Sequence, residues 1–181
     1  MAEKIKSVSA LDIIFLFRIK GEDTNAWKLA LQTDNSTDES REYESTPTKD
    51  GTEKTAGAYE GSHSITALLA NSEDGRSRIR DIKRLVREDN AQPLEIWEID
   101  RSDIKESPEL YGEYSEDYVT SVGTSAGAEG SVEVSIETEV NGTIQEGMVE
   151  VTPELLAILQ KITEDQDFVQ PIVDGGDVEG A

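Results

Sequence analysis

Residues 132–151 read VEVSIETEVNGTIQEGMVEV, and their reading decides the fold. Val132, Val134, Ile136 and Val140 fall on alternate positions, with Glu133, Ser135, Glu137 and Glu139 between them. A period of two belongs to a strand with one buried and one wet face. Asn141-Gly142 then supplies the positive-φ residues that a two-residue hairpin turn demands, so the spacing predicts a partner strand from about Thr143 to Val151.

Outward from this unit the same period recurs. An earlier strand is expected over Tyr114–Val122, across the glycine-rich connection GTSAGAEG, and another at LEIWEID, Leu94–Asp100, with a polar connection through Pro108. Leu11, Ile13, Phe15, Phe17 and Ile19 share one face of a further strand; Ile14 and Leu16 make its second face apolar too, which marks deep burial. Trp27, Leu29 and Leu31 alternate after the turn at Gly21–Asn25, so the two runs form a hairpin, and Tyr59, His63, Ile65, Ala67 and Leu69 form a later strand. From Asp34 to Thr55 the only large apolar side chain is Tyr43, and a long polar loop is expected there, ordered only by contacts that its own domain lacks.

Two segments switch to a helical period. Over Ser72–Glu88, Ile79, Ile82, Leu85 and Val86 form a stripe behind a Ser72 cap. Pro153 opens a short helix after Thr152, with Leu155, Leu156, Ile158, Leu159 and Ile162. The expected fold is therefore mainly β, a sandwich or barrel of roughly seven to nine antiparallel strands, with one central α-helix and a short C-terminal helix. It forms one domain over residues 1–163, including the loop at 34–55. An acidic C-terminal arm follows at 164–181, with six acidic residues and no basic ones.

Charge narrows the function classes. Against 39 acidic residues stand 17 basic ones, a formal charge of −22, which repels nucleic acid phosphates and suits no anionic membrane. A surface unattractive to DNA and a surface adapted to strong salt both fit such a balance. Cysteine is absent, so disulfides and thiolate chemistry are excluded. Asp12, Arg18 and Lys20 interrupt the first apolar run, so neither a signal peptide nor a membrane span is expected.

Catalytic patterns are missing. His63 is the sole histidine and has no serine or cysteine nucleophile motif around it, so a packing or exposed role is expected. The run from Asp34 to Ser45 has acidic residues at calcium-loop spacing, but Glu39 and Ser45 occupy the positions that need glycine and a bidentate glutamate. GTSAGAEG lacks the lysine of a phosphate loop. Asn35 and Asn141 sit in glycosylation-type triplets that read as loop and turn. Neither an enzyme, a metal site nor a cofactor is expected.

One local exception to the acidity is the central helix. Arg76, Arg80, Arg84 and Arg87 project from the side opposite its apolar stripe. A solvated face paired with Asp81 and Glu88 is one reading; a nucleic-acid surface is a weaker one; a face complementary to the acidic surface of another copy is the third.

The segments AWKLALQTD, SREYESTPTKDG, IWEID and VNGTIQEGMVEVTPE resemble, in the same order over Leu11–Pro153, the major tail proteins of long noncontractile-tailed double-stranded DNA viruses. The loop carries the most specific part, at Ser40, Arg41, Ser45, Thr48, Lys49, Asp50 and Gly51, with Glu44 where aspartate is expected. What the resemblance implies is a phage tail tube-like fold and a structural virion protein, made in the host cytoplasm. Its copies form homohexameric rings stacked into a tube. Tape-measure, tail terminator and distal tail proteins are the implied partners, and genomic DNA passes through without specific binding.

Under that resemblance Arg41, Ser45, Thr48, Lys49, Asp50 and Gly51 belong to an inter-ring loop. Arg76, Arg80, Arg84 and Arg87 meet an adjacent subunit, and Glu133, Glu137 and Glu139 line the lumen. Two alternatives stay open: the inner tube of a contractile injection or secretion machine, and an acidic DNA-mimic inhibitor.

Overall fold

A 3-10 turn at Ala10–Asp12, capped by the Ser9 hydroxyl, leads into the first strand, β1 (Ile13–Ile19). The computed structural model describes residues 9–159 apart from 25, 30, 103, 105–108 and 129, so the expected acidic arm at 164–181 lies outside the described residues. Seven further strands follow: β2 (Trp27–Lys28), β3 (Gln32–Thr48), β4 (Gly51–Leu68), β5 (Leu94–Asp100), β6 (Glu109–Ser125), β7 (Glu133–Val140) and β8 (Gln145–Glu150). Helix α1 (Glu73–Leu85) sits between β4 and β5, and α2 (Pro153–Leu159) ends the described chain. All pairings are antiparallel, in the order β2-β1-β5-β6-β7-β4-β3, with β8 on β6. The mainly β fold expected from the alternation is the fold observed.

Both faces of β1 are buried, as its double apolar pattern requires. Phe15, Phe17 and Ile19 enter the larger core with Ile65, Val134 and Ile136, and α1 closes it through Ile79, Ile82 and Leu85. Ile14 and Leu16 enter a second core with Ile99 and Leu110, which α2 covers with Leu155 and Leu159. Each such side chain stabilises the fold by about 1.5–3 kcal/mol relative to exposure. Ser72 caps α1, its Oγ accepting from Gly75 N at 3.1 Å. Val86, expected in the stripe, follows the last helical turn and is exposed.

The ends of the strand path meet through a side chain. The Gln32 amide donates to Phe15 O at 2.7 Å and accepts from Phe15 N at 3.1 Å, taking the place of a strand partner on the free edge of β1. The sheet is thereby drawn round on itself.

Three expectations need correction. The predicted hairpin at Asn141-Gly142 does not form. β7 pairs with β6 over Asp117–Ser125, and β8 continues along the same edge over Glu109–Tyr114, so the Asn-Gly pair is a kink between collinear strands. The cause is the length of β6, whose edge accepts both segments in turn. Leu31, predicted on a strand, instead adopts φ 57 in the turn before β3 and is half exposed. The polar stretch at 34–55 is not a loop: it is most of a two-stranded ribbon, Gln32–Thr48 against Gly51–Leu68, turning through Lys49-Asp50. Alternation reports burial of one face, and both faces of this ribbon are wet, so a strand here leaves no hydrophobic period to read.

Candidate assembly and channel surfaces

Ser62 is the last residue of β4 paired to β7, so residues 39–61 extend as a ribbon with no third strand. At ~3.3 Å per residue it reaches about 33 Å beyond the body. Two strands alone are marginal in water. Arg41, Ser45 and Thr48 lie exposed along β3, Lys49 and Asp50 form the tip, and Gly51 closes it with φ 143. Thus the structure brings the six loop residues onto one projecting element. A bulge separates the Arg41–Tyr59 and Tyr43–Ala56 pairs; opposite it, a Cβ on Gly57 would stand 3.0 Å from Glu42 O.

At the root of the ribbon β3, β4, β7 and the upper part of β6 share a wet face. The register aligns Asp38, Ser62, Glu139 and Tyr118, then Ser36, Ser64, Glu137 and Ser121, then Asp34, Thr66, Ser135 and Gly123. Glu133 follows beside Leu68 and Ser125. Glu133, Glu137 and Glu139 are therefore exposed on one face, joined by Asp34 and Asp38, with no basic side chain among the aligned residues. Ser64 Oγ donates to Glu137 Oε1 at 2.8 Å. Towards β5 the acids are neutralised: Arg18 pairs with Glu95 and Lys20 with Glu116, each at 2.6 Å. Lys20 and the Tyr114 hydroxyl hold the Glu116 carboxyl below its ordinary value, the lysine hydrogen bond contributing most.

Among the described residues, two strand edges flank this face unpaired. β5 covers β6 only over Gly112–Asp117, leaving the edge from Tyr118 to Ser125 open, and β3 ends the strand order on the other side. An open edge is a template for another chain.

Beneath the face lies a polar cluster that the sequence reading missed in part. His63, fully buried, has Nδ1 2.7 Å from Asp117 Oδ2, and Thr138 Oγ1 donates to the same oxygen. The Phe15 ring stands edge-on to the imidazole at 5.6 Å. Three adjacent strands, β4, β7 and β6, are tied together there. The expected packing role of His63 is what the geometry shows; Asp117 carried no signal because acidic residues are so common in this chain.

On α1, Arg76, Arg80 and Arg84 are exposed, opposite Gly75, Ile79, Ile82 and Leu85, while Arg87, expected on the same helix, lies exposed in the turn that follows it. Arg80 pairs with Glu73 at 2.7 Å and Arg84 with Asp81 at 2.8 Å, and Arg76 donates to Asn71. These are solvent-exposed pairs, screened by water and weak enough to exchange partners. Among the described residues no group of acidic or histidine side chains could hold a metal ion, and no helix is long and apolar enough to cross a membrane.

Comparison with known proteins follows the same lines. A family model for phage tail tube proteins matches residues 8–146, more than half of the chain. No curated protein sequence matches. Among solved structures, the SPP1 tail tube is similar with a TM-score of 0.69 at 20% identity, covering 87% of this chain and 88% of that one. The tail of an empty gene transfer agent particle, refined with C6 symmetry, gives 0.56 at 13% over 77% and 98%. The sheath/tube terminator of an extracellular contractile injection system, PVC, gives 0.59 at 11% over 81% and 99%.

Proposed function

The chain belongs to the phage tail tube protein family, and from that premise we propose that its copies close into six-membered rings, stacked into a tube whose channel is lined by the acidic sheet face. Tail tube proteins are structural components of the virion tail, not enzymes, and family membership sets the DNA-mimic alternative aside.

The observation that carries the reading is the wet face of β3, β4, β7 and β6 between two open edges. Pairing the free edge of β3 on one copy with the free upper edge of β6 on the next continues the sheet around a ring. Such a contact is heterologous and closes by rotation. Every copy then turns Glu133, Glu137 and Glu139, with Asp34 and Asp38, to the same side. DNA carries about one negative charge per 1.7 Å of axis, so a basic lining would hold it at many points. An acidic lining keeps it moving.

The ribbon supplies the second direction of assembly. Arg41, Ser45, Thr48, Lys49, Asp50 and Gly51 sit where the ribbon meets the neighbouring ring, and its reach of about 33 Å crosses a ring boundary. Arg76, Arg80, Arg84 and Arg87 meet an acidic surface of an adjacent subunit, exchanging Glu73 and Asp81 for partners there. The tape-measure protein occupies the channel before the genome, and terminator and distal tail proteins close the ends.

Electron microscopy of the purified full chain tests the ring: six-fold end views and long hollow tubes are expected, and a chain that stays monomeric at high concentration refutes the reading. The channel is tested in virions carrying Glu133→Lys, Glu137→Lys and Glu139→Lys together. Genome ejection should slow markedly, and ejection at the unaltered rate removes these residues from the lumen. The contractile-machine reading differs in its surroundings, and a sheath protein encoded beside this one would favour it.

A further inference from the structure

We propose that the cleft between β1 and the start of β3 is a carboxylate-binding site, in which the Lys28 ammonium receives an acidic side chain from a second copy of this chain. Lys28 lies on β2 opposite Leu16 and is only 7% exposed. Among the described residues its ammonium makes no hydrogen bond and no ion pair. Its neighbours make this unusual. Its stem is buried while the ammonium keeps contact with solvent through an open cleft, so the charge is partly desolvated with no counter-ion beside it, which is unfavourable.

The cleft has a volume of about 370 Å³ and is open to solvent; Leu11, Ile14, Gln32, Asn35 and Arg101 share its lining with Lys28. Arg101 adds charge of the same sign. Its guanidinium is held in place by the carbonyl oxygens of Leu11 and Leu159, with Asp12 3.8 Å away, so its positive charge stays beside the cleft. Glu98 and Asp34 border the cleft as well, yet neither comes within ion-pair distance, and Glu98 is engaged by the Thr37 hydroxyl at 2.6 Å. The ammonium is pushed down to about 8, first by burial and then by Arg101. An incoming carboxylate offsets both, supplying the opposite charge that compensates for the lost water and for the repulsion from Arg101.

The occupant follows from composition and position. With 39 acidic residues against 17 basic ones, any copy packed here offers carboxylates. The cleft also borders the free edge of β3 at Gln32–Asn35, beside the edge through which the rings are proposed to close. The inference therefore rests on the tube reading. A lysine that penalises the lone subunit and finds its partner on assembly favours the polymer over the monomer.

The experiment compares acylation of Lys28 by a small amine reagent at pH 8.5 in dilute subunit and in assembled tube, read by peptide mass mapping, alongside the assembly behaviour of Lys28→Met and Lys28→Arg. At least tenfold protection of Lys28 in the tube is expected. Lys28→Met should raise the concentration needed for assembly at least tenfold while Lys28→Arg assembles. Equal labelling in both states, or Lys28→Met tubes at the unaltered concentration, overturns the site alone. Wild-type chain that never polymerises overturns the tube reading and the site together. If Lys28→Met fails to fold, the wild-type labelling decides.

Discussion

Replacing Lys28 by methionine should stabilise the isolated subunit at neutral pH, and the gain should disappear as the pH rises. In the folded chain the ammonium is held at about 8 instead of its ordinary 10.5. Unfolded, it keeps its proton up to the ordinary lysine range. Between pH 8 and 10.5 the unfolded state therefore binds more protons than the folded one, and stability rises with pH. The span, at ~1.4 kcal/mol per pH unit, comes to about 3.5 kcal/mol, or about 3 kcal/mol once the solvent screening of an ammonium in an open cleft is discounted. Below pH 8 the penalty is fully present in the wild type and absent from the variant. At pH 7 the variant should be more stable by about 3 kcal/mol, on the order of 10 °C in Tm for a domain of this size. Near pH 10 the pH-dependent part of that difference should be gone. Tyr59 and Tyr111, pushed up to about 12, affect both proteins alike and cancel in the comparison. Urea unfolding of dilute subunit at pH 7, 8, 9 and 9.5, followed through buried Trp27, measures it. A difference that does not change with pH, or a variant less stable at pH 7, would refute the reasoning.

Asp117→Ala leaves His63 and Thr138 without their shared acceptor in the core, and should cost about 3–5 kcal/mol in chemical unfolding. A loss under about 1 kcal/mol would show the cluster to be dispensable. Reversing Arg76, Arg80, Arg84 and Arg87 to glutamate sets like charges beside Glu73 and Asp81, so the subunit should lose some stability but stay folded, since all four sites are exposed, while tubes seen by electron microscopy should be abolished. Normal tubes would reduce that face to a solvated one. Gly57→Val places a Cβ against the Glu42 carbonyl and should disturb the ribbon bulge. Tube yield should then fall while the melting temperature holds, because the ribbon lies outside both cores. Unaltered yield would mean that this part of the ribbon is not a contact.

By itself the sequence determined which segments are buried. The alternation at Ile13–Ile19 and Glu133–Val140 and the stripe of Ile79, Ile82 and Leu85 on α1 follow from water's exclusion from one face, whereas Leu11, expected on the buried face of the first strand, lies exposed in the 3-10 turn before it. The double apolar pattern of β1 even anticipated two cores, because its odd and even residues both had to be covered. Glu133, Glu137 and Glu139 were legible for the same reason: a wet face is the complement of a buried one. Only the tertiary structure decided the pairing. Asn141-Gly142 has hairpin chemistry, yet the long edge of β6 takes β7 and β8 in succession, a competition between non-local partners that no local pattern records. The ribbon was invisible because a strand wet on both sides has no period, and its backbone bonds are the same whatever side chains they carry. Asp34 and Asp38 join the acidic face through cross-strand register alone. Lys28 stood unremarked among alternating residues, and the solvent it lost to the second core and the charge it meets in Arg101 come from chain segments far away in sequence.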